Sequence, residues 1–326
     1  MIYPKFLSRG DTIGITAPSA GVGNKIDSFE MSLASLKEAG YKTKETKNVR
    51  KDGFVSADAK TRAEELMSLF ADDETSYMVM AAGGDFLMEM LPYVNFQIIK
   101  DNPKWVQGYS DITNLIYPIT TLCDVATIYG LNAGGFDRRP LHKYQQIALE
   151  VMSGNVPQQL SYDVCSTVET RDGEFASPVL WKSTVGDFTA SGRILGGCLD
   201  CLCETVAGTS FDGTLEFIER YKNDGIIWYF DIFSMSAEAV CRGLWKLKEL
   251  GWFENATAFL FGRVMFPSTF MDMSYEEAAR RALGENIPAV FDADIGHLPP
   301  SFTLINGASA AISLKNGQGK LEMFLK

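Results

Sequence analysis

The chain has 326 residues, 46% of them hydrophobic, and a formal net charge of -11 at pH 7. This length and apolar content allow a buried core in about two domains. The acidic balance repels phosphate backbones, and no basic cluster interleaved with aromatic residues offsets it, so nucleic acid is excluded as an expected partner.

Neither a membrane partner nor a secreted location is expected. No stretch approaches the roughly 20 apolar residues of a membrane span. The N-terminal segment, MIYPKFLSRGDTIGITAPS, has no basic region followed by a long apolar run, which a secretory signal would show. We therefore expect a cytoplasmic protein.

Strand-like and helix-like segments alternate through the first half. This alternation predicts an α/β domain with a parallel sheet covered by helices on both faces. In chain order, the patterns predict a strand at Thr12–Ser19, a helix from Ile26 to Gly40, a helix from about Ala57 capped by Ser56 or Asp58, strands at Tyr77–Ala82 and WVQG, a helix after Ser110, and a strand at Ala126–Leu131.

The composition changes after a predicted helix at His142–Gly154. Short strand-like pieces with frequent turn residues follow from about Pro157 to Gly192, and we place the domain boundary between residues 168 and 169. The second domain is predicted to be smaller, β-rich and mixed α/β. Its predicted elements are a helix around CLDCLCETV, an apolar strand at Gly225–Phe233, a helix in SAEAVCRGLWKLKELG, a strand in AFLFGRV, a helix in SYEEAARRALG, and a hairpin that turns at Asn316-Gly317.

Six cysteines in a chain of this length do not make the disulfide framework of a small secreted domain, so reduced thiols are expected. Cys198, Cys201 and Cys203 are close enough in sequence to suggest a metal site. A structural zinc needs about four ligands, however, and the chain has only two histidines. We expect these cysteines to be small buried residues on a helix.

Ser110 lies in GYSDITNLI, at the predicted carboxyl end of a strand, where parallel α/β sheets bind ligands. The segment keeps the G-x-S part of a nucleophile elbow, with Ile112 in place of the second glycine. The amide of Asp111 opens the next helix and could stabilise a developing oxyanion, and Gly83-Gly84 could supply a second amide, that of Gly84. The alternative is a serine that only caps the helix.

A serine nucleophile needs a base, and the chain offers two histidines. His297 follows a predicted strand in a Gly-His-Leu-Pro-Pro loop, and such loops commonly carry chemistry. A structural hydrogen bond within that turn is the alternative. His142 lies among charged residues at a helix entrance, and we expect it to be solvated.

Several carboxylates could orient the imidazole. Asp231 ends an apolar run, where it needs a partner. Asp292 and Asp294 lie close to His297 in sequence, and either could tie down its loop. Glu216 and Glu219 are expected on the solvated face of a short helix.

Six segments, in this order and at these spacings, resemble the LD-carboxypeptidase family of serine peptidases. They are RGDTIGITAPS, AAGGDFLMEMLPYV, VQGYSDITNL, GRILGGCLDCL, GIIWYFD and DIGHLPPS. The resemblance covers nearly the whole chain. The family includes the muramoyltetrapeptide carboxypeptidases of peptidoglycan recycling and the microcin C self-immunity peptidases.

The resemblance implies a flavodoxin-like N-terminal domain, a smaller β-rich C-terminal domain, and a Ser-His-Glu triad divided between them. Ser110 matches the nucleophile, His297 the base and Asp231 the acid, and the serine and histidine must meet across the cleft. The implied reaction removes D-alanine from a muropeptide tetrapeptide without a metal or organic cofactor. The resemblance also implies a homodimer.

Two residues depart from the family pattern. Asp231 stands where glutamate is usual, and one methylene fewer shortens the reach by roughly 1.5 Å, which is expected to lengthen the hydrogen bond to the imidazole unless the backbone moves closer. MAAGGD lacks the arginine that many members carry before the glycine pair, which implies a different contact to a substrate carboxylate.

Three other functions fit part of the pattern. A microcin C immunity-like peptidase would cleave acyl-sulfamoyl adenylates by the same chemistry. A binding protein that closes on a small ligand would explain two domains and glycine-rich strand ends but gives Ser110 and His297 no role. A catalytically impaired family member would explain Asp231.

Overall fold

The computed structural model describes residues 1–167, 174–285 and 287–326. The chain forms two compact units, one of Met1–Pro157 with Thr303–Ile305 and the other of Gln158–Phe302 with Asn306–Lys326. The expected boundary between residues 168 and 169 lies outside the described residues.

The strands are numbered here in chain order. They are β1 (Thr12–Thr16), β2 (Lys42–Glu45), β3 (Thr75–Met80), β4 (Trp105–Gly108), β5 (Thr127–Tyr129), β6 (Gln159–Leu160), β7 (Val164–Cys165), β8 (Ser177–Pro178), β9 (Lys182–Ser183), β10 (Phe188–Cys198), β11 (Ile226–Asp231), β12 (Ala256–Gly262), β13 (Ala289–Ala293), β14 (Leu304–Asn306), β15 (Ser309–Lys315) and β16 (Gln318–Phe324).

The α-helices are numbered in the same way. They are α1 (Ile26–Glu38), α2 (Ala59–Ala71), α3 (Phe96–Asp101), α4 (Thr113–Cys123), α5 (Lys143–Met152), α6 (Leu199–Cys201), α7 (Thr214–Arg220), α8 (Ala237–Glu249) and α9 (Tyr275–Leu283). Short 3-10 turns occupy Gly23–Lys25, Leu87–Tyr93, Ser110–Ile112 and Ala133–Gly135, and a π-helical turn occupies Leu202–Val206. None of the described helices has the length and apolar character that crossing a bilayer requires.

The first unit is built on a sheet in the order β14-β5-β4-β3-β1-β2. Strands β1 to β5 pair in parallel, and their order 2-1-3-4-5 is that of the flavodoxin-like sheet. The expected parallel α/β fold is therefore confirmed. Because the strands are parallel, the residues that follow β1, β3 and β4 leave the sheet at the same edge.

The sequence patterns did not predict two strands of this sheet. β2 has only four residues, three of them charged, so its apolar signal is weak. β14 comes from near the C-terminal end of the chain, yet its three residues are buried and it pairs next to β5.

The second unit contains a mixed sheet in the order β6-β16-β15-β10-β11-β12-β13-β9. Strands β10 to β13 are parallel, and the flanking pairs are antiparallel. All six residues of β11 are buried, which explains its continuous apolar run before Asp231. The expected β-rich mixed architecture is thereby confirmed.

Local signals begin and end several elements, and those at Asp58 and Asn316-Gly317 are as expected. The Asp58 carboxylate caps α2 by accepting from the Thr61 amide, and Ser236 caps α8. Asn316 and Gly317 both adopt positive φ, 51° and 77°. This conformation is the one that a two-residue hairpin turn between β15 and β16 requires.

Candidate active site

Ser110 occupies a tight corner at the carboxyl end of β4. Its φ is 66°, in the left-handed region that residues other than glycine rarely adopt. Its N–H donates to the Tyr129 hydroxyl at 3.3 Å. Such strained residues cluster at functional sites, so the corner suits a nucleophile.

The alternative of a helix-capping serine does not hold. Tyr109 precedes the Ser110–Ile112 turn as its N-cap, and Ile112 is the N-cap of α4. Ser110 is therefore at neither N-cap position, and its backbone is left-handed.

The two glycines after β3 allow close approach of the backbone. A Cβ on Gly83 would lie 3.0 Å from the Ser110 Cβ and 3.1 Å from its Oγ. Gly84 has φ 151°, and a Cβ there would overlap the Ser19 hydroxyl. Side chains at these positions would crowd the corner, which explains the glycine pair.

The Asp111 carboxylate joins the segments around this corner. It is 3% exposed and accepts from Ser19 Oγ at 2.5 Å, from the Leu87 N–H at 3.0 Å and from Asn114 Nδ2 at 2.7 Å. Burial raises the pKa of the Asp111 carboxyl, although these hydrogen bonds oppose the shift. Ser19 and Leu87 belong to two other segments, so the carboxylate fixes the elbow to both.

The backbone amide of Asp111 lies in the first turn after β4. Amides of a first turn have no intrahelical carbonyl to bind and can donate to an anion. The predicted oxyanion role of the Asp111 and Gly84 amides is consistent with this arrangement and stays a prediction.

In the second unit, His297 lies against Asp231. His297 Nδ1 is 2.8 Å from Asp231 Oδ2, and the exposed fractions of the two side chains are 3% and 0%. A carboxylate on Nδ1 places the proton of a neutral imidazole there and leaves Nε2 as the acceptor. The pair can therefore remove a proton from a hydroxyl that reaches Nε2.

The residue before the histidine determines how close the acid can come. Gly296 has φ 98°, and a Cβ at this position would overlap Asp231 Oδ1. The loop backbone thus packs directly on the carboxylate. For this reason the shorter side chain of Asp231 still comes within 2.8 Å of the imidazole nitrogen, and the separation of the two atoms is not lengthened.

Arg263 and Asp294 form a buried ion pair that holds the same loop. Arg263 Nη1 lies 2.5 Å from Asp294 Oδ1, and Nη2 donates to the carbonyls of Leu298 and Pro300 at 2.7 and 2.6 Å. Burial raises the pKa of the Asp294 carboxyl, and Arg263 opposes the shift. The guanidinium therefore binds the chain on both sides of His297.

The remaining candidate carboxylates lie in more exposed surroundings. Asp292 pairs with Lys182 at 2.8 Å, at a more exposed position. Glu216 and Glu219 are exposed on α7, as expected. Of the three aspartates considered, Asp231 contacts His297, and Asp294 ties down the loop.

His142 is a helix cap rather than a merely solvated side chain. Its Nδ1 accepts from the Tyr144 N–H at 3.4 Å, and Gln145 completes a capping box at the start of α5. Burial, followed by the charges of Arg138 and Lys143, lowers the pKa of the imidazole. This histidine therefore has a structural role at the start of α5.

Cys198, Cys201 and Cys203 are distributed over three elements rather than one helix. They end β10, end α6 and lie in the following π-helical turn, respectively. Among the described residues, no group of three or more histidine, cysteine, aspartate or glutamate side chains is placed to hold a metal ion.

Sequence reasoning missed three residues of these surroundings. Ser19 contacts Asp111, and Tyr129 contacts Ser110. Arg263 holds the histidine loop. Their position in the sequence could have identified them, because each lies at or just after the end of a parallel strand.

Both parts of the chain are similar to known proteins. Two family models match it, one described as the LD-carboxypeptidase N-terminal domain over residues 13–130 and one as the LD-carboxypeptidase C-terminal domain over residues 191–312. A Bacillus subtilis protein named a probable murein peptide carboxypeptidase is 28% identical over 95% of this chain and 91% of its own.

Two further similarities are to a microcin immunity protein and to a protein described as similar to it. The microcin C7 self-immunity protein MccF of Escherichia coli is 26% identical over 95% of this chain and 92% of its own. The crystal structure of an MccF-like protein from Bacillus anthracis superposes with a TM-score of 0.84 at 21% identity and covers 100% of both chains. This structural similarity shows the shared fold.

Proposed function

Since the chain belongs to the LD-carboxypeptidase family of serine peptidases, we propose that it is a serine carboxypeptidase that cleaves the L-D peptide bond before the terminal D-alanine of muropeptide tetrapeptides. The contact between His297 Nδ1 and Asp231 Oδ2 at 2.8 Å carries the proposal, because it provides an oriented base. The B. subtilis relative named a murein peptide carboxypeptidase supports the substrate class.

The proposed reaction has two steps. His297 Nε2 takes the proton of the Ser110 hydroxyl as Oγ attacks the carbonyl carbon, and Asp231 stabilises the imidazolium. The amides of Gly84 and Asp111 donate to the oxyanion. The imidazolium then gives its proton to the departing amine of D-alanine, and water, activated by His297, hydrolyses the acyl-enzyme.

The test uses a muropeptide pool and mass spectrometry. The protein should remove one alanine from tetrapeptides, and Ser110→Ala should leave the pool unchanged. A fluorophosphonate probe should label Ser110 in the wild type, and the label should disappear in His297→Ala. Absence of labelling in the wild type would favour the binding protein or the impaired enzyme.

A second candidate substrate follows from the similarity to MccF of E. coli. An aminoacyl-sulfamoyl adenosine would be cleaved by the same residues between its amino acid and its nucleotide portion. Incubation of this compound with the protein, in parallel with the muropeptides, separates the two. Probe labelling together with turnover of the adenylate alone would replace the muropeptide proposal with this one.

A further inference from the structure

Two cysteines lie beside the acid of the proposed triad and have no part in hydrolysis. Cys198 is the last residue of β10 and the N-cap of α6, and Cys201 is the last residue of α6. Both are present as thiols; Cys198 is 2% exposed and Cys201 is half-buried. Hydrogen bonding with Cys201, followed by burial, raises the pKa of the Cys198 thiol, which also donates to Asp200 Oδ2 at 3.7 Å.

The spacing of the two residues is compatible with a disulfide. Cys198 is the N-cap and Cys201 the third residue of the helical turn, two positions whose side chains face each other in a capping box. A disulfide needs Cβ atoms about 4 Å apart, and an adjustment confined to this turn can provide that separation.

This turn is joined to the acid through the sheet. Cys198 is the register partner of Asp231 in the parallel pair of β10 and β11. The two residues end neighbouring strands, so a movement of the Cys198 backbone is transmitted directly to Asp231.

A second connection runs through Asp200, which lies between the two cysteines. Its carboxylate accepts from the N–H groups of Phe233, Ser234 and Met235 at 3.0, 2.9 and 3.1 Å. The Phe233 ring centroid lies 4.7 Å from that of His297. The segment that follows Asp231 is therefore held by the same turn that a disulfide would tighten.

We propose that Cys198 and Cys201 form a reversible disulfide when the protein meets a hydroperoxide, and that this oxidation slows hydrolysis at the Asp231–His297 pair. The second half of the proposal rests on the proposed function, whereas the disulfide does not. Thiol pairs with the C-x-x-C spacing are those that undergo such exchange.

The chemistry balances with hydrogen peroxide as the oxidant. The sulfur of Cys201, the more exposed residue, loses its proton and attacks one peroxide oxygen, the O–O bond breaks, and a sulfenic acid and one water result. The sulfur of Cys198 then loses its proton and attacks the Cys201 sulfur, the S–O bond breaks, and a second water leaves. Two thiols and one peroxide become one disulfide and two waters.

The disulfide is tested on the full-length protein by mass spectrometry after peroxide treatment. We expect the peptide from Ile194 to Arg220 to become two hydrogens lighter and to recover its mass with dithiothreitol. Cys201→Ser and Cys198→Ala should each abolish the change. Cys203→Ser and Cys241→Ser should keep it, because neither residue belongs to the pair.

The effect on the site is measured as hydrolysis or as fluorophosphonate labelling. Oxidised wild type should react at least about tenfold more slowly, since small displacements of catalytic groups are costly. Dithiothreitol should restore the rate, and Cys201→Ser should be insensitive to peroxide.

The outcomes are separable. Unchanged mass after oxidation, or the same loss of mass in Cys201→Ser, would overturn the pair. A disulfide with an unchanged rate would overturn its effect on the site. A reduced protein without any hydrolysis would contradict the proposed function, while the mass measurement would still decide on the disulfide.

Discussion

At the scale of single residues, the position of the Asp231 carboxylate depends on a neighbouring residue, Gly296. Asp231 is one methylene shorter than the glutamate that the resemblance implies at this position, yet its Oδ2 lies 2.8 Å from His297 Nδ1. Gly296 makes this possible, because a Cβ there would overlap the carboxylate. The distance is therefore set by the pair Asp231 and Gly296 together.

This packing predicts that Asp231→Glu impairs the protein. The carboxylate is fully buried, and an added methylene in a filled site costs about 1 to 3 kcal/mol. We expect the free energy of unfolding in urea to fall by this amount and hydrolysis to fall about tenfold, because the imidazole is displaced. Asp163→Glu, at an exposed acid of the same unit, should leave both unchanged. A variant at least as active as the wild type would show that Gly296 leaves room for glutamate.

At the scale of elements, the ends of strands carry most of the candidate residues of each unit. Ser110 follows β4, Asp231 ends β11, and Arg263 follows β12. Arg263 reaches from its strand end to the loop after β13, where it binds Asp294 and two carbonyls. The histidine loop is thus fixed by a side chain from the neighbouring strand.

We predict that Arg263→Gln is strongly destabilising. Removing one partner of a buried ion pair leaves the other charge uncompensated, at a cost of about 3 to 5 kcal/mol. Fluorophosphonate labelling of Ser110 should slow as well, because the loop that carries His297 loses two hydrogen bonds. Urea unfolding and the labelling rate are the measurements.

The matched control for Arg263→Gln is Lys182→Gln. Lys182 pairs with Asp292 at a similar distance, but its side chain is 67% exposed. Exposed pairs contribute about 1 kcal/mol or less, so stability and labelling should change little. Equal losses in the two variants would contradict a special role for the buried pair.

At the scale of the whole molecule, the two units are not continuous segments of the chain. Thr303–Ile305 belong with the first 157 residues, and β14 completes the sheet beside β5. Leu304 and Ile305 are fully buried there. The first unit therefore depends on residues from near the end of the chain.

We predict that a fragment of residues 1–157 does not form a stable monomer. Without β14, the edge of β5 presents unpaired backbone groups and apolar surface, which promotes association. Light scattering should show aggregation, whereas the full chain should remain dispersed at the same concentration. Addition of a peptide of residues 301–308 should reduce the aggregation, and a monodisperse, cooperatively unfolding fragment would contradict the prediction.

The sequence by itself determined the features that depend on neighbours within a few residues. Hydrophobic periodicity located most strands and helices, and Asn316-Gly317 specified its turn, because these signals act through local backbone preference and burial of one face. The short motifs around Ser110 and His297 also identified these two residues as the candidates for chemistry.

Only the tertiary structure decided which groups meet. It selected Asp231 over Asp292 and Asp294 as the partner of His297, gave Arg263 its place on the loop, and placed β14 in the first sheet. Each of these contacts joins residues far apart in the chain. Their pairing depends on strand order and register, which the local pattern of side chains does not encode.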